Sequence, residues 1–167
     1  MSTLHTIDCG QTINRILGMF DLSEQDQIRE RLADTLRWVV SQRLAPKVGG
    51  GRQAILEIMG NSVRTKESIL QGEAEGKTFY EIIEASYTFG WKSFDQACME
   101  AFEQNLITEE SALLYCSKRG PTSRGIDNIK KKRGEVTTNV TSLGMKKEGP
   151  AHGGPAVPPP PLTLKLK

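Results

Sequence analysis

The apolar positions change period along the chain. Ile13, Ile16, Leu17 and Phe20 fall on one side of a helix that Asp8 is placed to cap and that ends near Gly18 or Phe20. In front of it, "STLHT" (residues 2–6) has the threonines and leucine of a short strand. The start therefore reads as half of a βα unit, its strand an edge without neighbours. Ser23 is expected to cap a longer helix in which Ile28, Leu32, Leu36, Val39 and Val40 recur at helical spacing, with Glu24, Asp26, Arg29, Glu30 and Arg31 on the wet side. Then "SQRLAPKV", the turn "GGGR" and "QAILEIM" predict two strands joined by a hairpin, because consecutive glycines supply the positive φ of a tight reversal. Pro46 places the first of these strands at an edge.

Beyond Gly60 the pattern is helical again. Val63, Ile69 and Leu70 mark one helix. Thr78 with Glu81 forms a capping box for "TFYEIIEASYTFG", and Ser93 with Gln96 forms another for "SFDQACMEAFEQN". Thr108 caps "EESALLYCSK", whose acidic first turn and basic last turn suit the helix dipole. The body is thus expected in two parts, a βα and β-hairpin piece followed by short helices, with Thr78–Lys118 the best-ordered stretch. After Gly120 the apolar periodicity fades. "IDNIKKKRG" predicts a final basic amphipathic helix, and "GPAHGGPAVPPPP" a flexible or polyproline-type linker unable to bury a core. The last six residues, "LTLKLK", alternate like a strand; they can add to a sheet edge or stay loose, and loose is the preferred expectation.

Charge sharpens this division. Met1–Ser117 carries 11 Lys and Arg against 17 Asp and Glu, whereas Lys118–Lys167 carries 11 against 3. An acidic folded body with a basic tail is the simplest organisation. The 167 residues fit one globular domain, with 37% hydrophobic and 25% charged. No apolar run approaches the ~20 residues that span a bilayer, and no signal pattern opens the chain, so a cytosolic location is expected. Cys9, Cys98 and Cys116 are an odd, widely spaced set, which favours reduced thiols over a disulfide framework.

His5 is the only histidine of the body, His152 lying in the tail. Ser2, His5 and Asp8 make no hydrolase triad, being too close together, and no G-x-S-x-G elbow is present. His5 and Cys9 have no C-x-x-C or H-x-x-x-H companion, so no metal site is expected. "KVGGGRQ" lacks the G-K-[ST] ending of a phosphate-binding loop and is flanked by strands, which makes it a hairpin turn. Lys130–Arg133, "KKKR", has no tail aromatic to stack on bases, so a solvated basic segment is preferred over nucleic-acid binding.

Taken in order, "STLHT…TINRI", "SQRLAPKVGGGRQAILEIM", Val63-Arg64, "GWKSFDQA" and "NLITEESAL" resemble the C-terminal half of a type IV pilus retraction ATPase of the PilT kind, over roughly residues 2–134. That family belongs to the secretion ATPases, hexameric RecA-like motors. The resemblance implies an α/β fold: a partial RecA-like core over 1–60, a helical subdomain over 61–134 and a disordered Pro-rich basic tail over 135–167. It implies that His5 is the His-box residue that lies near the nucleotide's terminal phosphate and couples it to the rest of the subunit. Val63 and Arg64 match the second and third positions of the retraction motif AIRNLIRE. Lys66, Ser68 and Ile69 depart from its leucine, second arginine and glutamate, and Trp91 stands where the family usually has a methionine-like residue.

The family's phosphate-binding loop, its acidic motifs for Mg²⁺ and water, and its N-terminal domain would precede the His box. The expectation is therefore a detached C-terminal portion that does not hydrolyse ATP by itself, since phosphoryl transfer depends on positioning phosphate and metal with those groups. ATP and Mg²⁺ are the cofactors of the parent family, and neither is expected to bind this chain tightly. The implied partners are other ATPase subunits of a ring and the pilus platform protein, at the cytoplasmic face of the inner membrane. The alternative is a stand-alone, non-catalytic module docking on full-length pilus or type II secretion ATPase subunits. A strand stripped of its sheet neighbours further predicts that the isolated chain associates or aggregates.

Overall fold

The computed structural model describes residues 2–135. Asp8 is extended, and its side chain accepts the Gln11 N–H to start α1 (Cys9–Leu17), which turns Cys9, Ile13 and Leu17 inward at a spacing of four. Residues 2–6 form no strand, which corrects the expected βα start. Among the described residues the only sheet pairs β1 with β2, so this threonine-rich segment has no ladder to join and is an irregular lead into α1.

The next helix, α2 (Gln25–Thr35), is shorter than its periodicity predicts. Glu24 rather than Ser23 occupies the N-cap and makes no side-chain capping bond. At the other end, the Asn61 side chain donates to the carbonyls of Ala33 (2.9 Å) and Leu36 (2.7 Å), satisfying groups that a continuing helix would have used. Val39 and Val40, expected on this helix, instead lie in β1 (Trp38–Pro46), with Val39 buried and Val40 exposed. Their β-branched side chains suit that alternating surface better than a helical turn.

β1 pairs antiparallel with β2 (Arg52–Gly60) in a register running from Trp38 opposite Gly60 to Pro46 opposite Arg52. Gly49, Gly50 and Gly51 close the hairpin at φ of 83°, 104° and 81°, a sequence of left-handed positions that side chains resist. The strand period of two puts Val39, Ser41, Ala45, Ile55, Glu57 and Met59 on the buried face. Trp38, Val40 and Leu44 lie on the exposed one. At the far edge of β2, Ile58 exchanges both backbone hydrogen bonds with Lys92.

Two apolar clusters use the two ends of this hairpin. Val39 and Met59 join α1, α2, α3 (Val63–Gln71), α4 (Phe79–Ala85) and Trp91. Ala45 and Ile55 join α5 (Phe94–Glu103), α6 (Glu109–Tyr115) and α7 (Arg119–Arg133). Each fully buried Ile or Phe in these clusters contributes about 1.5–3 kcal/mol. At the junction, a Cβ on Gly60 would lie 2.7 Å from the Trp91 indole, so glycine is what lets the ring cover the strand end.

The capping boxes at Thr78/Glu81 and Ser93/Gln96 form with both reciprocal bonds, and Thr108 accepts from the Ser111 N–H. The helix expected to reach Phe89 stops at Ala85, and Tyr87–Phe89 is a single 3₁₀ turn ended by Gly90 in the left-handed region. Tyr87 and Phe89 are both exposed, so no core contact holds this segment in α geometry.

By contrast α7 starts well before Ile126. Pro121 sits in its first turn, where its missing N–H costs nothing. Gly125 lies against Met99 of α5, whose Sδ would be 2.0 Å from an added Cβ. Tertiary contact thus builds a helix where apolar periodicity has faded. No helix of the described residues is long and apolar enough to cross a membrane. The expected tail, with "GPAHGGPAVPPPP" and "LTLKLK", falls from Val136 onward on residues outside the described ones.

Candidate functional site

His5 lies on the lead into α1, exposed, with no hydrogen bond or ion pair to another described residue. The lead is tied down on either side of α1's start. The Thr6 and Thr12 hydroxyls are 2.7 Å apart, and the Ile7 carbonyl accepts from Arg43 at 3.3 Å. Val63 and Arg64 occupy the first turn of α3, which Ser62 caps by accepting the Thr65 N–H. Val63 is almost wholly exposed. Arg64 borders a cleft of about 390 Å³ between α3 and α4, with Glu67, Ser68, Lys77, Glu81 and Ile82. Lys77 and Glu67 pair across it at 2.8 Å. His5 does not line this cleft, so the structure places the two sequence-derived sites apart. The Gly49–Gly51 run links antiparallel strands rather than a strand and a helix, and so forms a turn and no phosphate cradle.

A buried polar constellation lies elsewhere, beneath α1. Glu57, only 3% exposed, sends its carboxylate to the first N–H of α1, with Oε2 2.7 Å from the Cys9 nitrogen. Burial pushes its carboxyl above the usual range, Asp8 pushes the same way, and the Cys9 N–H and thiol and the Arg43 charge pull it back. The Cys9 thiol lies 3.7 Å from the Val39 carbonyl and 3.6 Å from the Ser41 hydroxyl. Burial first, then the Glu57 charge, raises its pKa far beyond that of a reactive thiol. Burial likewise pushes Cys98 up to about 12. All three cysteines are free.

Two long-range ties hold the frame around this point. Arg43 stacks on Phe94, 3.8 Å from the ring centre, and donates to the Tyr115 carbonyl at 2.7 Å. Asp95, 1% exposed, accepts the backbone N–H groups of Ser117 and Lys118 and takes the Tyr80 hydroxyl at 2.6 Å. Burial, together with the neighbouring Asp95 and Glu84 carboxylates, pushes the Tyr80 hydroxyl far above its ordinary value. Sequence reasoning singled out none of Arg43, Glu57 or Asp95. For Glu57 a signal existed: it shares strand parity with Ile55 and Met59, which places an acid on the buried face.

Known proteins resemble this chain over part of their length. The type IV pilus retractation ATPase PilT of Pseudomonas aeruginosa is 31% identical over 110 residues, which are 66% of this chain and 31% of that protein. The type IV pilus ATPase PilU of the same organism is 30% identical over 116 residues, 69% of this chain and 30% of PilU. A twitching motility protein of Neisseria gonorrhoeae is 28% identical over 111 residues, 66% of this chain and 29% of its own length. The chain thus spans about a third of the length of these relatives.

Among solved structures, the pilus retraction motor PilT with bound ADP matches at a TM-score of 0.60 and 29% identity, over 73% of this chain and 33% of that one. The ATPase DotB of Legionella pneumophila shares the fold at 0.54 and 22% identity, over 67% of this chain and 30% of its own. No family model matches. The α/β arrangement of hairpin and helices is that of a piece of such ATPases, and over the region they share this chain belongs with the PilT-like pilus ATPases.

Proposed function

We propose that this chain supplies the C-terminal part of a pilus-retraction type ATPase subunit and does not hydrolyse ATP by itself. The observation that carries the reading is the match to PilT, a retraction ATPase, in both sequence and fold over about a third of its length. In an assembled subunit His5 would face the nucleotide's terminal phosphate. Its exposure, on a lead that Asp8 and Arg43 fix to the folded body, supports that role. A side chain with no partner in its own described surroundings is free to take one from outside.

Val63 and Arg64, exposed on the first turn of α3, would contact neighbouring parts of the motor. The partners in this reading are other ATPase subunits in a hexameric ring and the platform protein of the pilus, at the cytoplasmic face of the inner membrane. Mg·ATP hydrolysis belongs to the assembled subunit, because phosphate- and metal-holding groups must be positioned together for phosphoryl transfer. The sequence given holds no G-x-x-x-x-G-K-[ST] run to do that. The test is phosphate release by the purified chain in Mg·ATP. No turnover above a protein-free blank is expected, and catalytic turnover that survives repurification would sink the proposal.

A further inference from the structure

β1 presents an open edge. At Ile58 the backbone N–H and C=O of β2 turn away from β1 toward Lys92, so the residue opposite, Val40, also turns its own groups outward. Antiparallel alternation then sets the N–H and C=O of Trp38, Val40, Gln42 and Leu44 along the outer edge, and none of these groups bonds to another described residue. The far edge of β2 is different. There Lys92 takes Ile58, the Gln53 side chain donates to the Ala54 carbonyl, and α5 lies alongside with Ala97 and Ala101. Among the described residues the hairpin thus offers a pairing strand one edge rather than two.

Proteins commonly blunt such an edge with charge, a short strand or a bulge. β1 is nine residues long and pairs with β2 without a bulge. On its exposed face Trp38, Val40, Gln42, Leu44 and Pro46 carry no charge, and Trp38 and Val40 are 59% and 58% exposed. Arg43, the one charged residue of the strand, faces the other way and is held by the Tyr115 carbonyl and the Phe94 ring.

The order of these residues is self-complementary about Gln42. An antiparallel copy on a two-fold axis through Gln42 sets that residue against itself, Val40 against Leu44 of the second copy and Trp38 against Pro46 of the second copy. Apolar side chains then meet apolar ones on both sides of the axis, and the two central amides lie within reach of each other. A register centred on Arg43 would instead set two guanidinium groups face to face, which like-charge repulsion disfavours.

We propose that two copies of this chain pair antiparallel through their β1 edges, centred on Gln42, to build one four-stranded sheet. Because each hairpin has one open edge, association closes at two copies. The inference goes beyond the ATPase reading and rests on β1 alone.

The test is sedimentation velocity of the full 167-residue chain. Between about 1 and about 200 μM a monomer–dimer equilibrium is expected, with a dissociation constant on the order of 10 μM and no larger species. Gln42→Pro removes an outward N–H that β2 does not use, so the hairpin should stay folded while the dimer weakens by about tenfold or more. Should that variant fail to fold, Val40→Lys sets a charge at an exposed edge position and carries the same expectation. Gln42→Cys reads the register. The axis brings the two Cα atoms to about 5.5 Å, within disulfide reach, so oxidised glutathione should link the copies of this variant and not those of the parent. A chain that stays monomeric at about 200 μM would leave the edge to a strand of another protein and overturn the proposal. Assembly beyond a dimer, a dimer that a folded variant leaves unchanged, or one that Gln42→Cys does not link would overturn it equally.

Discussion

Replacing Asp95 probes the joint on which the second cluster hangs. This carboxylate is 1% exposed and ties three elements, since it sits on α5, accepts from Ser117 and Lys118 ahead of α7, and holds the Tyr80 hydroxyl of α4. Asp95→Ala removes all of these at once. Hydrogen bonds to a charged group are each worth about 1.5–3 kcal/mol, so three would give a nominal ~5–9 kcal/mol. Ser117 and Lys118 are exposed, so water recovers part of two of them, and a net loss of about 2–4 kcal/mol is expected. Asp95→Asn retains the oxygen that accepts from Ser117 and Lys118 but presents an NH₂ where the Tyr80 hydroxyl donates, and should cost about 1–2 kcal/mol. Urea denaturation followed by far-UV circular dichroism reads both, with the slope unchanged if only the folded state is affected. Losses below ~0.5 kcal/mol for Ala, or equal losses for Ala and Asn, would refute the assignment of Asp95 as a hydrogen-bonded joint.

Other predictions follow from the same contacts. Gly60→Ala drives a Cβ to 2.7 Å from the buried Trp91 ring and should destabilise by about 1–3 kcal/mol. Gly125→Ala meets the flexible Met99 instead and gains helix propensity of up to ~1 kcal/mol, so its melting temperature should stay near that of the parent; a larger loss at Gly125 than at Gly60 would contradict the packing account. For Glu57, burial raises the folded pKa above the ordinary 4.5, so its contribution is fully present below that value and is lost as pH rises through the raised one. Glu57→Gln should therefore gain stability relative to the parent as pH rises above the ordinary 4.5 in thermal melts, and a difference that grows in the parent's favour would reverse the sign.

Local signals were legible in the sequence where the physics is local. Thr78 with Glu81 and Ser93 with Gln96 satisfy orphan N–H groups three residues away, so their capping boxes follow from spacing alone. The three turn glycines announce the hairpin for the same reason. What the pattern missed depends on distant contacts. Leu36, Val39 and Val40 fit a helical period as well as a strand, and Asn61, placed beyond the hairpin, ends α2 before they are reached. "STLHT" has strand chemistry but no strand beside it. The start of α7 rests on Gly125 against Met99, which no window of sequence reveals. In the candidate site, His5 is visible as a residue type, whereas Asp95 and Arg43 gain their roles only when α4, β1, α5 and the entry to α7 converge.

The central claim is that residues 2–134 can serve as the C-terminal part of a retraction-type ATPase. It is tested most directly by grafting them onto Pseudomonas aeruginosa PilT in place of the matching segment and measuring Mg·ATP hydrolysis by the purified chimera. The account predicts turnover by the chimera and a loss of at least about tenfold on His5→Ala, with its melting temperature unchanged. A folded chimera that hydrolyses no ATP, or one whose rate is indifferent to His5, would contradict it.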